Sequence, residues 1–400
     1  MNRILLIKDI DDAVYELQKI GVSSQGINVM APKTLGLSIK LTDVKIGAAN
    51  ILKQEMLSIG GDAAVARGVV EGSIPRSDVI LLGEVDKIKK LIKKLDHQTI
   101  FGLPVIKKDL ELFLDQLLRK EDKSIDCRGK KILLDSTKIV GILNITPDSF
   151  SDGNEFLNPE KAVKHALQMI DEGADLIDIG GESTRPGAKK IIIEEEKKRV
   201  VPIIEEIRKK MDVPISIDTY KSEVADAAIR AGASVINDIS ALRFDPQMIN
   251  ILQKYDDVPI ILMHMQGNPE TMQENPFYKD TIEEILDFFK ERINFCLSNG
   301  ISRNRIIIDP GIGFGKRHED NLIVLKKISE FHCFDVPVLL GASRKSFINR
   351  IYSSSPEDRL AGSLAASSLA FANKVDFVRV HDVKEQKRFL DVLKAIRNIK

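Results

Sequence analysis

The sequence contains no tryptophan, and aromatic residues fill only 5% of its 400 positions. Few flat platforms remain on which unpaired bases could stack, so single-strand nucleic-acid binding is not expected. An excess of either charge is lacking too. The 59 Lys+Arg balance the 59 Asp+Glu, for a formal net charge of zero, whereas a dedicated nucleic-acid binder carries a basic surplus. No apolar run reaches the ~18 residues of a membrane span, so no membrane partner is expected. The opening run MNRILLIKDIDD turns acidic too soon for a secretory signal. Cysteine is scarce: Cys127, Cys296 and Cys333 lie far apart and form no CxxC pair. Reduced thiols in a cytoplasmic protein are therefore expected. What remains is ordinary globular material, 43% hydrophobic and 30% charged, which excludes disorder as the main state.

At ~150 residues per domain, the length suggests one large domain and a smaller one. The charged stretch 119–130, RKEDKSIDCRGK, marks the boundary. Residues 1–122 are expected to form a small α+β domain of unassigned role, and residues 123–400 the larger one. In the first, strands are expected at 3–7, 37–41 and 78–82, and helices at 10–20, 44–59, 85–95 and 107–117. Gly60 and Gly61 should end the second helix, and the glycine-rich segment 60–67 reads as a helix end and turn. From Lys138 onward, short apolar runs alternate with amphipathic stretches of helix length. The strands are expected at 139–143, 176–179, 214–217, 234–236, 258–263, 306–308, 336–340 and 377–380. The helices are expected at 159–172, 194–211, 221–231, 246–255, 280–299, 319–329, 356–373 and 382–398. Continuous Val/Ile/Leu strands imply burial on both faces, as in a parallel sheet covered by helices. Eight such units in about 270 residues fit an α/β fold of the (β/α)8 TIM-barrel type better than an open doubly wound sheet.

The C-terminal ends of these eight strands carry the polar residues. The first runs into Asn144-Ile-Thr-Pro-Asp-Ser-Phe-Ser-Asp-Gly153, and the second into Gly180-Gly-Glu-Ser-Thr-Arg-Pro-Gly187. The next three end at Asp218-Thr219, Asn237-Asp238 and Met263-His264-Met265. The last three end at Asp309-Pro-Gly-Ile-Gly-Phe-Gly-Lys316, Gly341-Ala-Ser-Arg-Lys345 and Arg379-Val-His381. One Asp or Asn after a strand is usually just a helix cap. Eight polar clusters at equivalent places are not, because a barrel gathers all eight ends on one face. Asp218, Asn237 and Asp309 offer carboxylates and an amide suited to a flat heterocycle with several N–H groups. Lys345, Arg185, Arg379 and His381 are cationic or able to become so, and suit an anion such as a diphosphate. Asn144 adds a neutral oxygen, through which a hard cation such as Mg2+ could bridge to phosphate oxygens.

Other motifs fail on spacing. The segment Gly311–Lys316 lacks a residue between its outer glycines and has no Ser/Thr after the lysine, so it is not a phosphate-binding P-loop. His264, His318, His332 and His381 lack zinc-site spacing. Neither Ser149 nor Ser183 sits in a GxSxG elbow.

Taken together, residues from about Cys127 to the C-terminus resemble dihydropteroate synthase, within the wider family of pterin-binding barrels. The resemblance rests on Asn144–Gly153, Gly181-Glu-Ser-Thr-Arg-Pro-Gly187, Asp309–Lys316, Ser343-Arg-Lys-Ser-Phe347 and Arg379-Val-His-Asp382. Asn154 departs from it, standing where the bacterial pattern continues with glycine. The resemblance implies an enzyme, a transferase joining 6-hydroxymethyl-7,8-dihydropterin diphosphate to p-aminobenzoate to give 7,8-dihydropteroate and pyrophosphate. It implies that Asp218, Asn237, Asp309 and Lys345 hold the pterin, with Met263 against its ring. Asn144 would ligate Mg2+, and Arg379 and His381 would bind the diphosphate. Phe150 and Asp152 on the first loop, and Thr184 and Arg185 on the second, would close over the site. Ser346 would sit near the carboxylate of the aryl amine. Asp152, Arg185, Asp309 and Lys345 are the catalytic candidates. A homodimer is expected from the same resemblance. A methyltransferase on the same barrel, moving methyl from a tetrahydropterin to a corrinoid protein, would not need the Thr-Pro-Asp-Ser-Phe, Ser-Arg-Lys or Arg-Val-His segments. A non-catalytic pterin-binding protein would be expected to lose some strand-end residues, and all are present. The residues leave open whether the amine is p-aminobenzoate or a bulkier para-substituted aniline.

Overall fold

The computed structural model describes residues 2–119, 123–146, 159–183 and 190–399. The chain divides into two units, 1–121 and 122–399. In the first, strands β1 (Gly36–Lys45), β2 (Asp62–Val65) and β3 (Arg76–Glu84) form an antiparallel sheet in the order β1-β3-β2. Helices Ile46–Ser58 and Val85–Leu95 follow β1 and β3, and their Leu52, Met56, Ile88 and Leu91 are buried with Val79 and Leu81 of β3. Two expectations fail here. Residues 3–7 are not a strand, and Ile4 and Leu6 stand exposed: a β-prone run becomes a strand only where a neighbour pairs with it. Segment 60–67 does not stay a turn. Its Ala-rich middle is β2, which pairs with β3 from Asp62 opposite Leu82 to Val65 opposite Val79. Pairing there overrides a weak local preference.

The second unit opens with a hairpin, β4 (Ser124–Cys127) and β5 (Lys130–Leu133), inside the stretch read from sequence as a charged boundary. Arg128 and Gly129 form its two-residue turn with φ of 57° and 76°, the positive-φ pair that matches strand twist. Ile125, Cys127 and Ile132 alternate with polar neighbours, and all three are buried.

Eight parallel strands follow: β6 (Lys138–Asn144), β7 (Leu176–Gly180), β8 (Ile215–Asp218), β9 (Val235–Asp238), β10 (Ile260–Met263), β11 (Ile306–Asp309), β12 (Leu339–Leu340) and β13 (Phe377–Val380). Their order is β11-β10-β9-β8-β7-β6-β13-β12. The ring is completed by a parallel bridge between Ile308 and Val338, where the Ile308 N–H reaches Pro337 O at 3.0 Å. This is the (β/α)8 barrel, with helices from Pro159–Asp171 to Val383–Asn398 around it.

Strand parity decides what the barrel encloses, because successive side chains point to opposite faces. One set, Ile139, Ile177, Ile215, Ile236, Ile260, Ile308 and Val378, packs outward with the helices. The other begins, at the strand starts, with Val140, Leu176, Val235, Ile261, Ile307, Leu339 and Phe377, which cluster with Ile125, Cys127 and Ile132 of the hairpin. The β4–β5 hairpin thus stoppers the N-terminal end of the barrel. Burial pushes the Cys127 thiol up to about 12 and the Cys296 thiol to about 11, so both act as apolar packing groups. Replacing Ile125 with alanine should cost ~2–5 kcal/mol, as for a fully buried Ile→Ala. Urea unfolding measures this; a cost below roughly 1 kcal/mol would mean the hairpin does not pack as described.

Candidate functional site

Further along five of the inward-facing rows, the barrel interior turns polar. Asp178 on β7, Asp218 on β8, Asn237 on β9, Asp309 on β11 and Arg379 on β13 all keep the inward parity of Leu176, Ser216, Val235, Ile307 and Phe377. Four of them, all but Asp309, are joined in one hydrogen-bonded network. Arg379 donates from Nε to Asp178 Oδ2 at 2.6 Å, and from a terminal nitrogen to Asp218 Oδ2 at 2.9 Å. Asn237 Nδ2 donates to the same Asp178 oxygen at 3.0 Å, which leaves the amide Oδ1 as an acceptor. Asp178 Oδ1 is buried with no hydrogen-bond partner among the described residues. Sequence reasoning passed over Asp178. Its signal was there: a lone carboxylate at inward parity in the apolar run Leu-Ile-Asp-Ile.

Burial and the neighbouring charge of Asp178 push the Asp218 carboxyl up to about 7, against the pull of Arg379. Burial likewise raises Asp309, opposed by the Gly311 N–H, which donates to Asp309 Oδ1 at 2.8 Å. Space is kept around these groups by glycine. A Cβ on Gly180 would lie 3.6 Å from Asn144 Oδ1 and 3.5 Å from Asp218 Cβ, and one on Gly341 would lie 3.4 Å from Asp309 Oδ2. Asn144, at the end of β6, is half-buried and makes no side-chain hydrogen bond among the described residues. No cluster of three or more His, Cys, Asp or Glu able to hold a metal exists among the described residues.

Beside the acidic floor stands an apolar wall, in which Met263 packs with Ile239, Met265, Met272, Tyr220, Phe244 and Phe314. Lys345 holds its Nζ 4.2 Å over the Phe314 ring centroid. It precedes the helix Ser346–Ile351, and Ser346 is exposed in its first turn. The neighbouring Arg344 takes a left-handed φ of 57° and forks onto Asp382, which ties the loop after β12 to the loop after β13. His381 sits between them. Its backbone N–H donates to Ser343 Oγ at 3.2 Å, and that oxygen lies 3.1 Å from His381 Nδ1. Burial and the charges of Arg379 and Arg344 push the imidazole down to about 3. Of the two states the sequence allows, a cation or a group able to become one, burial beside two guanidinium groups favours the neutral ring. The ring is neutral near pH 7; with the Ser343 hydroxyl donating to Nδ1, it offers an Nε2–H.

A second buried cluster was also missed. Lys221, just after β8, is hydrogen-bonded to Glu182, to Glu196 Oε2 at 2.7 Å and to Ile191 O at 2.7 Å. Tyr220 donates to Glu182 Oε1 at 2.8 Å, and the Ile191 N–H reaches Glu182 Oε2 at 3.3 Å. This cluster joins Glu182 to Ile191 and so fastens the two ends of the loop after β7. Thr184 and Arg185 belong to that loop but lie outside the described residues, as do Phe150 and Asp152. The structure therefore brings together Asn144, Asp218, Asn237, Met263, Asp309, Lys345, Arg379 and His381, with Ser346 beside them.

The raised Asp218 carboxyl gives a pH dependence. It stays protonated in the folded chain between its ordinary unfolded value of ~3.9 and about 7. Its contribution to stability is full below that window and is lost as pH rises through it. Thermal unfolding of the wild type and Asp218→Asn should show the variant gaining on the wild type from pH 4 to pH 7; a constant difference would contradict the raised value.

A profile of the pterin binding enzyme family matches residues 140–381, the span that carries every one of these side chains. The dihydropteroate synthase of Bacillus subtilis is 46% identical over 264 residues, covering 66% of this chain and 90% of that protein. The dihydropteroate synthase of Xanthomonas albilineans solved with 4-aminobenzoic acid is 43% identical, with a TM-score of 0.66 over 70% of this chain and 100% of that one. The same enzyme solved with 7,8-dihydropteroate superposes with a TM-score of 0.63 at 41% identity, over 69% of this chain and 100% of that one. A Halobacterium salinarum protein named as a probable bifunctional folylpolyglutamate synthase/dihydropteroate synthase is 37% identical over 391 residues. That match spans 98% of this chain and 46% of that protein, so it takes in the first unit as well. The chain belongs to the pterin binding enzymes and, within them, to the dihydropteroate synthases, which are transferases.

Proposed function

We propose that the chain joins 6-hydroxymethyl-7,8-dihydropterin diphosphate to p-aminobenzoate, releasing 7,8-dihydropteroate and pyrophosphate. The observation that carries this reading is the buried set Asp178, Asp218, Asn237 and Asp309, whose spare acceptors face the same end of the barrel as Arg379, Lys345 and His381. A donor-rich ring fits the acceptors, and a phosphorylated tail fits the cations. In this reading Asp218 and Asp309 accept N–H bonds from the pterin, Asn237 Oδ1 adds a third acceptor, and Met263 packs on the ring. Lys345, Arg379 and the Nε2–H of His381 face the diphosphate end, and Asp178 keeps Arg379 in place when a ligand competes for Asp218.

The reaction breaks the bond between the methylene carbon and the diphosphate oxygen and forms the carbon–nitrogen bond; one amine proton leaves to solvent. Positive charge grows on the methylene-pterin as the tail departs, and the carboxylates of Asp309 and Asp218 favour it. The cationic side chains favour the departing anion. The aryl amine needs mainly positioning, a task we assign to Ser346 and to Phe150, Asp152, Thr184 and Arg185. Asn144 fits Mg2+ in chemistry: a neutral oxygen beside a glycine-kept space suits a cation that takes its remaining ligands from water and phosphate. When bound, Mg2+ would neutralise charge on the diphosphate. We further infer a cytoplasmic homodimer, in which residues 123–400 form the synthase domain.

Mixing the protein with pterin diphosphate, p-aminobenzoate and Mg2+ should release pyrophosphate, and EDTA should abolish the release. Asp309→Ala should lower kcat/KM by at least ~100-fold, on the scale of removing one electrostatic contact to a developing charge. Full turnover in that variant would sink the role of Asp309. Competition among several para-substituted anilines would fix the acceptor.

A further inference from the structure

Lys316 is 3% exposed, and among the described residues its Nζ makes no hydrogen bond to Arg379, Asp178, Asp218 or Asn237. Its Nζ sits at the centre of the loop after β11. It lies 2.8 Å from His264 Nδ1, 2.9 Å from Gly311 O, 3.2 Å from Phe314 O and 3.4 Å from His264 O. The loop is pressed backbone to backbone on the end of β10. A Cβ on Gly311 would fall 2.0 Å from His264 O, and one on Gly315 would fall 2.4 Å from Gln266 O; both glycines have positive φ. Little side-chain bulk fits between the two segments, so hydrogen bonds from a slender chain are what can join them.

Two of the three carbonyls that Lys316 holds lead to the site. Gly311, held through its oxygen, donates its N–H to Asp309 Oδ1 at 2.8 Å. Phe314, held through its oxygen, presents its ring 4.2 Å below Lys345 Nζ. One buried amine therefore fixes the supports of two side chains on different strands. We propose that Lys316 is a positioning residue for the pterin half of the site, setting Asp309 through Gly311 and Lys345 through Phe314. This inference rests on the function proposed above.

The test uses the full chain with both substrates varied independently. Lys316→Met keeps the length and removes the donors; Lys316→Gln restores an N–H donor. We expect Lys316→Met to raise KM for the pterin diphosphate at least tenfold while KM for p-aminobenzoate stays within twofold, and Lys316→Gln to recover part of the loss. Phe314→Leu, which leaves the lysine in place, should produce a smaller rise on the pterin side only. A Lys316 that merely supports the fold would lower the melting temperature and the active fraction without separating the two KM values. Unchanged KM values, or equal rises for both substrates, would overturn the proposal. Should Lys316→Met fail to fold, Lys316→Gln and Phe314→Leu decide by the same separation. A wild-type chain that binds the pterin diphosphate but gives no turnover overturns the functional reading alone, since calorimetry on the variants still reads the pterin affinity. A wild-type chain that does not bind it overturns both.

Discussion

A guanidinium held inside the barrel between two carboxylates is the constraint on which the site depends. Arg379 reaches from β13 across β6 to Asp178 on β7 and Asp218 on β8. Taking such charges out of water costs several kcal/mol per ion, and the loss is offset only if the geometry is tight and the remaining valences are met. Here they are met incompletely. Two acids share one guanidinium, and one Asp178 oxygen has no protein partner among the described residues. Hydrophobic residues of similar size would make a cheaper core. The expense has a use, because a site built this way already contains the acceptors that a donor-rich ring requires.

Parity explains how much of this was legible in the sequence. The apolar runs gave the eight strands with small errors at their ends, since Val/Ile/Leu strands buried on both faces leave a strong signal. Asp218, Asn237, Asp309 and Arg379 stood out because they close or nearly close such runs. Asp178 was harder. It sits within its strand and is followed by more obvious polar residues in Gly-Gly-Glu-Ser-Thr-Arg, so attention falls on the loop. The Lys221 cluster has no local signature at all: Glu182, Ile191, Glu196 and Lys221 come together only once the loop after β7 returns to its helix. His381 shows a different limit. Residue type allows a cation, but burial beside Arg379 and Arg344 keeps the ring neutral.

In the first unit, short elements defeat pattern reading. β2 is four residues long and half alanine, and its place comes from β3, not from its own preference. The run 3–7 has the better strand composition and remains outside the sheet. The similarity to the Halobacterium protein reaches across this unit as well as the barrel.

The β4–β5 stopper has a consequence for traffic. With one end of the barrel corked by Ile125, Cys127 and Ile132, the interior is a well and not a tunnel. Under the function proposed above, a ring seated at the acidic bottom would have to arrive before the molecule that settles over it, an order set by the depth of the well.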